Sequence, residues 1–171
     1  MVRCKTKSAN LEKVFQLRDK RFIAEHRGGP LKKERHRQLM KWALDCAEHV
    51  LPYFGEVDER LKNALKVAKD WTKGNASVGD ARKAAFDAIA AANESPNPAA
   101  IAVARSVGHA AATAHMADHS LGAALYALEA IKNAGKSVEA EREWQEEHLP
   151  IDIKGLVLTA LESPKFKRFK I

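Results

Sequence analysis

The chain has 171 residues, of which 46% are hydrophobic and only 6% aromatic, and its formal net charge is +7 at pH 7. This length is sufficient for one domain with a sizeable core, and the hydrophobic fraction is normal for a water-soluble protein. Scarce aromatic residues and abundant alanine favour closely packed helices over a β-sandwich, whose strands are rich in β-branched and aromatic residues. The composition therefore predicts a single all-α domain over residues 1–171, with no sheet.

Two further features concern the compartment. No apolar segment follows the basic residues at the start of the chain, and the apolar central stretch carries Arg105 and Asp118, which makes it too polar to span a membrane. Cys4 and Cys46 are far apart and lack CxxC spacing, so they are more typical of a reducing compartment than of a disulfide scaffold, and neither is predicted to be a nucleophile. We expect a cytoplasmic protein without a membrane partner.

The positive charge is concentrated at the start of the chain. Residues 1–41 contain thirteen Lys and Arg against four Asp and Glu, whereas the remainder contains sixteen against eighteen. Such a basic segment is either a solvated helix face or a contact for an acidic protein or, less favoured, for nucleic acid. The basic tail over residues 164–171, with Phe166 and Phe169 between basic residues, leaves the same alternatives open.

Capping and breaking residues predict seven to eight helices. The first runs from Asn10 to about His26 and ends at Gly28-Gly29-Pro30, which makes residues 1–30 a basic helical appendage. The second runs from about Leu31 to Tyr53, and Pro52 marks its end. The third begins at Asp58 and stops at Lys73-Gly74, and the fourth opens at Ser77 or Asp80 and continues through Ala92.

The second half of the chain contains four more predicted helices. The fifth begins at Asn97-Pro98 and extends to about Met116, and the sixth is capped by Asp118 or Ser120 and ends at Asn133, although one continuous helix over residues 98–133 is an alternative. Ser137 caps a charged seventh helix (Glu139 to His148), and the last spans Asp152 to Glu162 before Pro164 releases the tail.

A weak internal repeat bears on the architecture. Residues 64–69 resemble residues 100–105, and the alanine pairs at 84–85 and 123–124 are similarly related, at offsets of 36 to 39 residues. A period of this length is typical of helical-pair repeats. The predicted arrangement is therefore either an α-helical bundle or a short helical-pair solenoid.

Polar residues interrupt the most apolar stretch, residues 98–128. Because other helices must cover such a stretch, His109, His115, Asp118 and His119 are either a site or buried polar struts between helices. We expect His119 and Asp45 to be largely buried. The tryptophans Trp42, Trp71 and Trp144 are predicted to lie in the core, and the acidic residues Glu139, Glu141, Glu143, Glu146 and Glu147 are predicted to form a solvated face.

A metal site is the alternative interpretation of the histidines. His115 and His119 are four residues apart, so they share one face of a helix and can bind one metal ion, as in HExxH peptidases. A third ligand would come from His49, with Asp45 one turn earlier on the same face, and the open position would hold a water molecule. With Zn or a similar divalent ion, His49, His115 and His119 would then form the site of a small helical-bundle hydrolase or thiol transferase.

Three segments carry a resemblance to a known family. They are residues 42–51, residues 64–74 and residues 108–127, and the last is the most specific because His, Asp and Tyr occupy fixed places among alanines. Over residues 38–134 the chain resembles the immunity proteins associated with bacterial polymorphic toxin systems. The resemblance implies a small all-helical protein that neutralises a toxin by binding it, without catalysis and without a cofactor; homo-oligomers remain open. The candidate binding residues are Asp45, His49, His109, His115, Asp118, His119 and Tyr126.

Overall fold

A computed structural model describes residues 19–167, and its regular elements are helices. In residues 19–167 no strand forms, and only an isolated bridge joins Ala24 to Leu31. The all-α prediction is confirmed. The α-helices are α1 (Lys33–Val50), α2 (Glu59–Lys73), α3 (Val78–Glu94), α4 (Pro98–Ala112), α5 (His119–Asn133), α6 (Val138–Glu147), α7 (Ile151–Leu161) and the single turn α8 (Pro164–Lys167).

Side-chain caps explain where four of these eight helices begin. The first backbone N–H groups of a helix have no partner within the helix, and a short polar side chain placed just before it accepts from them. Asp58, Ser77, Asn97 and Ser137 each accept such a bond, at the starts of α2, α3, α4 and α6. Ser77 and Asp80 form a complete capping box, and Gly74 ends α2 with φ +82°, a conformation that favours glycine.

The predicted first helix is wrong over the residues that the structure describes. Residues 19–27 contain two short 3₁₀ helices, Lys20–Phe22 and Glu25–Arg27, with extended backbone between them. The Leu31 N–H donates to the Ile23 carbonyl, so the chain folds back on itself and buries Phe22. Residues 10–18 of the predicted helix lie outside the described range.

Helix ends differ at two further places. α4 ends at Ala112, and residues 113–118 form turns before α5, so the continuous helix over residues 98–133 is wrong and the two-helix alternative is confirmed. Pro164 does not release the tail at once, because α8 follows it and Phe166 packs against the core. The rest of the tail, residues 168–171, lies outside the description.

The helices form a bundle around an alanine-rich core. Consecutive helices α2 to α5 pack against one another, and α1 crosses them to contact α2, α4 and α5. In a solenoid each unit contacts only its neighbours, so the contacts of α1 favour the bundle. Small residues let α4 and α5 approach closely, and the Ser106 hydroxyl donates to the Ala123 carbonyl across them at 2.7 Å. Within the described range no helix has the combined length and apolarity needed to cross a bilayer.

Candidate functional site

The predicted site residues lie in two separate places. Asp45 and His49 lie on α1, and His49 contacts α6. The other five surround the turn between α4 and α5, where ring contacts link His109 to His119 and to Tyr126, and His115 to His119. We call His109, His115 and His119 the histidine junction.

The histidine junction is held by one bond between two rings. His109 lies in the last turn of α4, and His119 is the first residue of α5. Their Nδ1 atoms are 3.1 Å apart, so one ring donates a proton to the other, whose nitrogen accepts it unprotonated. A Cβ atom on Gly122 would collide with the His109 ring. The junction therefore joins two helices through a close and neutral imidazole pair.

Burial keeps these rings neutral. Burial, and then the nearby His119 charge, lowers the pKa of His109 from 6.5 to about 4. Burial also lowers the pKa of His115, whose Nδ1 atom is buried without a hydrogen-bond partner in the structure. The pKa of His119 is lowered by burial and by Lys165, although Asp118 acts in the opposite direction. All three shifts disfavour the imidazolium form.

Charged groups lie at the edge of the junction. The Lys165 Nζ atom donates to the buried Asp118 carboxylate at 3.2 Å, which ties α8 to the start of α5. The Arg105 guanidinium lies over the Tyr126 ring, 5.7 Å from its centroid. The first of these contacts joins α8 to α5, and the second joins α4 to α5.

The metal alternative requires a correction. His49 pairs with Glu141 on α6, whereas His115 and His119 lie at the other end of the bundle with His109. Among the described residues no group of three or more His, Cys, Asp or Glu side chains is placed to hold a metal ion. The HxxxH spacing fails because α4 ends at Ala112, so His115 lies in the turn and His119 on α5, and the two do not share a helical face.

A second cluster lies where α1 meets α6. The His49 Nδ1 atom donates to the Glu141 carboxylate at 2.7 Å, and Glu141 is only 3% exposed. The His49 ring stacks on Trp144 with centroids 3.7 Å apart and an interplanar angle of 6°. His148 also stacks on Trp144, at 4.0 Å and 24°, and its Nδ1 atom donates to the Trp144 carbonyl. We call His49, Trp144 and His148 the ring stack.

The order of the rings follows from these distances. Two rings cannot both lie within about 4 Å of the same indole centroid on one face, so the imidazoles cover opposite faces of Trp144. The His49 side chain is 39% exposed, His148 is exposed and Trp144 is half-buried. The stack therefore presents the indole edge and two imidazoles to the surface.

Buried polar bonds support the ring stack from inside. Gln145 donates to Glu141 at 3.0 Å and to the Ala124 carbonyl on α5 at 3.1 Å. The Trp42 indole N–H donates to the Gln145 carbonyl at 3.0 Å, and Trp42 is 1% exposed. Because these groups fix α6 to α1 and α5, the stack is held in position without a partner.

The burial predicted for Asp45 is wrong. Asp45 is exposed, because the core positions of α1 lie on the opposite side of the helix. Partial desolvation, and then the charge of Glu48, raises the pKa of Asp45, while His148 and Lys69 act in the opposite direction. Asp45 therefore lies beside the ring stack at the surface. His119, predicted to be largely buried, is half-buried.

Several residues that sequence reasoning missed organise both regions. Glu141 is predicted to be solvated, yet it is buried. The signal for its burial is the inward spacing of Val138, Glu141 and Gln145 on α6, continued by Leu149 just after the helix. Trp42 lies in the core as predicted, but Trp71 and Trp144 are only half-buried.

The His36 Nε2 atom donates to the Thr113 carbonyl at 2.6 Å, which fixes α1 to the turn after α4. Cys46 is buried, and burial raises the pKa of its thiol, which disfavours the thiolate that a nucleophile requires.

Two clefts lie outside these clusters. One, of about 590 Å³, is bounded by α5, α6, α7 and α8, with Trp42, Leu128 and Phe166 in its wall. The other, of about 430 Å³, lies between the folded-back segment before α1 and the α2–α3 turn. Trp71 lines the second cleft and contacts His36, with Lys33 and Arg37 at its rim.

Comparison with known proteins places the chain in a family. The family model described as Imm-5 like putative immunity protein matches residues 29–152, which span α1 to α6 and include both the ring stack and the histidine junction. No curated protein and no solved structure matches the chain. The match covers well over half of the sequence and extends beyond residues 38–134 at both ends. The chain thus belongs to the Imm-5 like putative immunity proteins.

Proposed function

We propose that this protein neutralises a toxin by binding it as a folded partner, in the cytoplasm, without chemistry of its own. Family membership over residues 29–152 is the observation that carries the proposal. An inhibitor of this kind needs a surface that is formed before the partner arrives, because ordering side chains during binding costs affinity.

The arrangement of side chains supports a binding role. The ring stack exposes aromatic rings that are already fixed by Glu141 and Gln145, and tryptophan is among the residues that contribute most to protein interfaces. The histidine junction supports the fold, because its rings face one another. The one buried cysteine of the described range lies in the core, away from the surface.

A titration of toxin activity tests the proposal. A candidate toxin, taken from the genes that neighbour this one in its host genome, is assayed in vitro with increasing amounts of the full chain. We expect inhibition to be complete at a fixed molar ratio, because each molecule of a binding inhibitor stays bound to the toxin molecule that it inhibits. The two proteins should elute as one complex in size-exclusion chromatography.

Two results would overturn the proposal. Inhibition at far less than one equivalent, with a covalent change in the toxin, would identify an enzyme. Full toxin activity in the presence of excess protein would show that this chain does not oppose that toxin. A toxin from an unrelated system serves as the specificity control and should remain active.

A further inference from the structure

We infer that the ring stack and its flanking carboxylates form the docking surface, and that the part of the partner seated there is a cationic segment rich in arginine or lysine. This inference rests on the proposed function and specifies the chemistry of its partner. The occupant follows from the charge of this face, the acceptors it offers and the fixed geometry of its rings.

The charge of this face differs from that of the whole chain. The net charge is +7, yet the ten residues of α6 contain five glutamates and one arginine. Glu141 is turned inward to His49, whereas Glu143 and Glu147 are exposed. Asp45 adds an exposed carboxylate from α1. A basic protein that presents an acidic face is complementary there to a basic surface.

Hydrogen-bonding chemistry also favours a cationic partner. The acceptors on this face are the exposed carboxylates of Asp45, Glu143 and Glu147. Arginine and lysine have only donors at their charged ends, so they match these carboxylates. An acidic segment would bring acceptors against acceptors.

Rigidity makes the surface suitable for binding before a partner arrives. Trp144 is held between two imidazoles, and Gln145 anchors the helix below it to the Ala124 carbonyl of α5. Few rotamers are therefore lost when a partner docks. Trp71, the other half-buried tryptophan, lies in a cleft whose lining includes Lys33 and Arg37 against one carboxylate, that of Glu25. The Trp71 indole is therefore the internal control for the peptide titration.

The first experiment uses defined peptides as probes. Indole N–H signals of the full chain are recorded by ¹⁵N NMR while hexa-arginine or hexa-glutamate is added, and they are assigned with Trp144→Phe and Trp71→Phe. We expect hexa-arginine to shift the Trp144 signal and leave that of Trp71 in place. The shift should shrink as salt is raised from about 0.05 to about 0.5 M, because salt screens exposed charges. A Trp144 signal that responds to hexa-glutamate, or to neither peptide, would overturn the inference.

The second experiment uses the toxin and separates this inference from the proposed function. Asp45→Lys reverses a charge beside the ring stack, and Asp87→Lys makes the same change on α3, away from it. We expect Asp45→Lys to weaken toxin binding by about tenfold or more, mainly through slower association, and Asp87→Lys to change it by less than about threefold.

Each outcome has one meaning. If the unaltered chain fails to bind the toxin, the proposed function fails. If the chain binds and both reversals act equally, the docking surface lies elsewhere, although the proposed function stands. Circular dichroism and urea unfolding of both variants show whether Asp45→Lys stays folded, and a Trp144→Phe variant with weakened binding supports the surface independently.

Discussion

Histidine rings have different surroundings in two regions of this bundle, the ring stack and the histidine junction. In the ring stack, imidazoles bond inward to Glu141 and to the Trp144 carbonyl while their rings reach the surface. In the histidine junction, His109 and His119 share one hydrogen bond between their own Nδ1 atoms. The same residue type thus faces solvent in one place and a neighbouring helix in the other.

The difference comes from what surrounds each ring. Water reaches the ring stack, so a lost bond there is replaced by a bond to solvent. At the junction, alanines and Gly122 bring α4 and α5 so close that an imidazole fills the remaining space. Changes at the junction should therefore affect stability, and changes at the ring stack should mainly affect binding.

The largest effect is expected from Gly122→Ala. In a helix interior this change normally stabilises, but the new methyl group would collide with the His109 ring, which packing holds in place. We expect the free energy of unfolding to fall by about 3 kcal/mol, measured by urea unfolding. Gly155→Ala on α7 is the matched control, because nothing lies near its new methyl group, and it should gain about 0.5–1 kcal/mol. Equal effects of the two variants would contradict the packing described for the junction.

A pair of identical substitutions compares the two regions directly. His109→Ala leaves a hole beside Gly122 and strands the His119 nitrogen, so it should cost about 2–3 kcal/mol of unfolding free energy. His49→Ala opens Glu141 to water at an exposed position and should cost about 1 kcal/mol. Thermal and urea unfolding measure both. A larger loss from His49→Ala would reverse the roles assigned to the two regions.

The sequence predicts the helices better than the grouping of polar residues. Side-chain caps such as Ser77 and Asn97 act within a few residues, so they locate helix starts from local sequence. The pairing of His49 with Glu141 joins residues that are 92 positions apart, and only the packing of α6 on α1 brings them together. The predicted burial of Asp45 is wrong because a helix buries only one side. A shift of one residue along the helix decides whether a carboxylate faces the core or the solvent.

The helix end at Ala112 shows the same limit from another side. The residues from 113 to 118 include Ala114 and Ala117, both good helix formers, so local propensity favours continuation. The turn instead places His36 against the Thr113 carbonyl and Lys165 against Asp118. These contacts come from α1 and α8, and no local pattern contains them. This is why His115 and His119, which the HxxxH spacing places on one helical face, lie in a turn and on α5 in the fold.

The histidine junction should also make the stability of the fold depend on pH. The His109 pKa is about 4 in the folded chain and 6.5 as the ordinary value, so between these values the unfolded chain binds more protons than the folded one. The junction's contribution is therefore complete above about pH 6.5 and is lost as pH falls toward about 4. The lowered pKa values of His115 and His119 act with the same sign.

Between pH 7 and pH 5 this linkage corresponds to a loss of about 2 kcal/mol from His109 alone, at about 1.4 kcal/mol for each unit of pKa difference crossed. His109→Gln removes the titrating group and keeps a polar side chain, so its unfolding free energy should change much less over that interval. Urea unfolding of both proteins at the two pH values measures the difference. A variant as acid-sensitive as the unaltered chain would show that His109 is not the group whose protonation destabilises the fold.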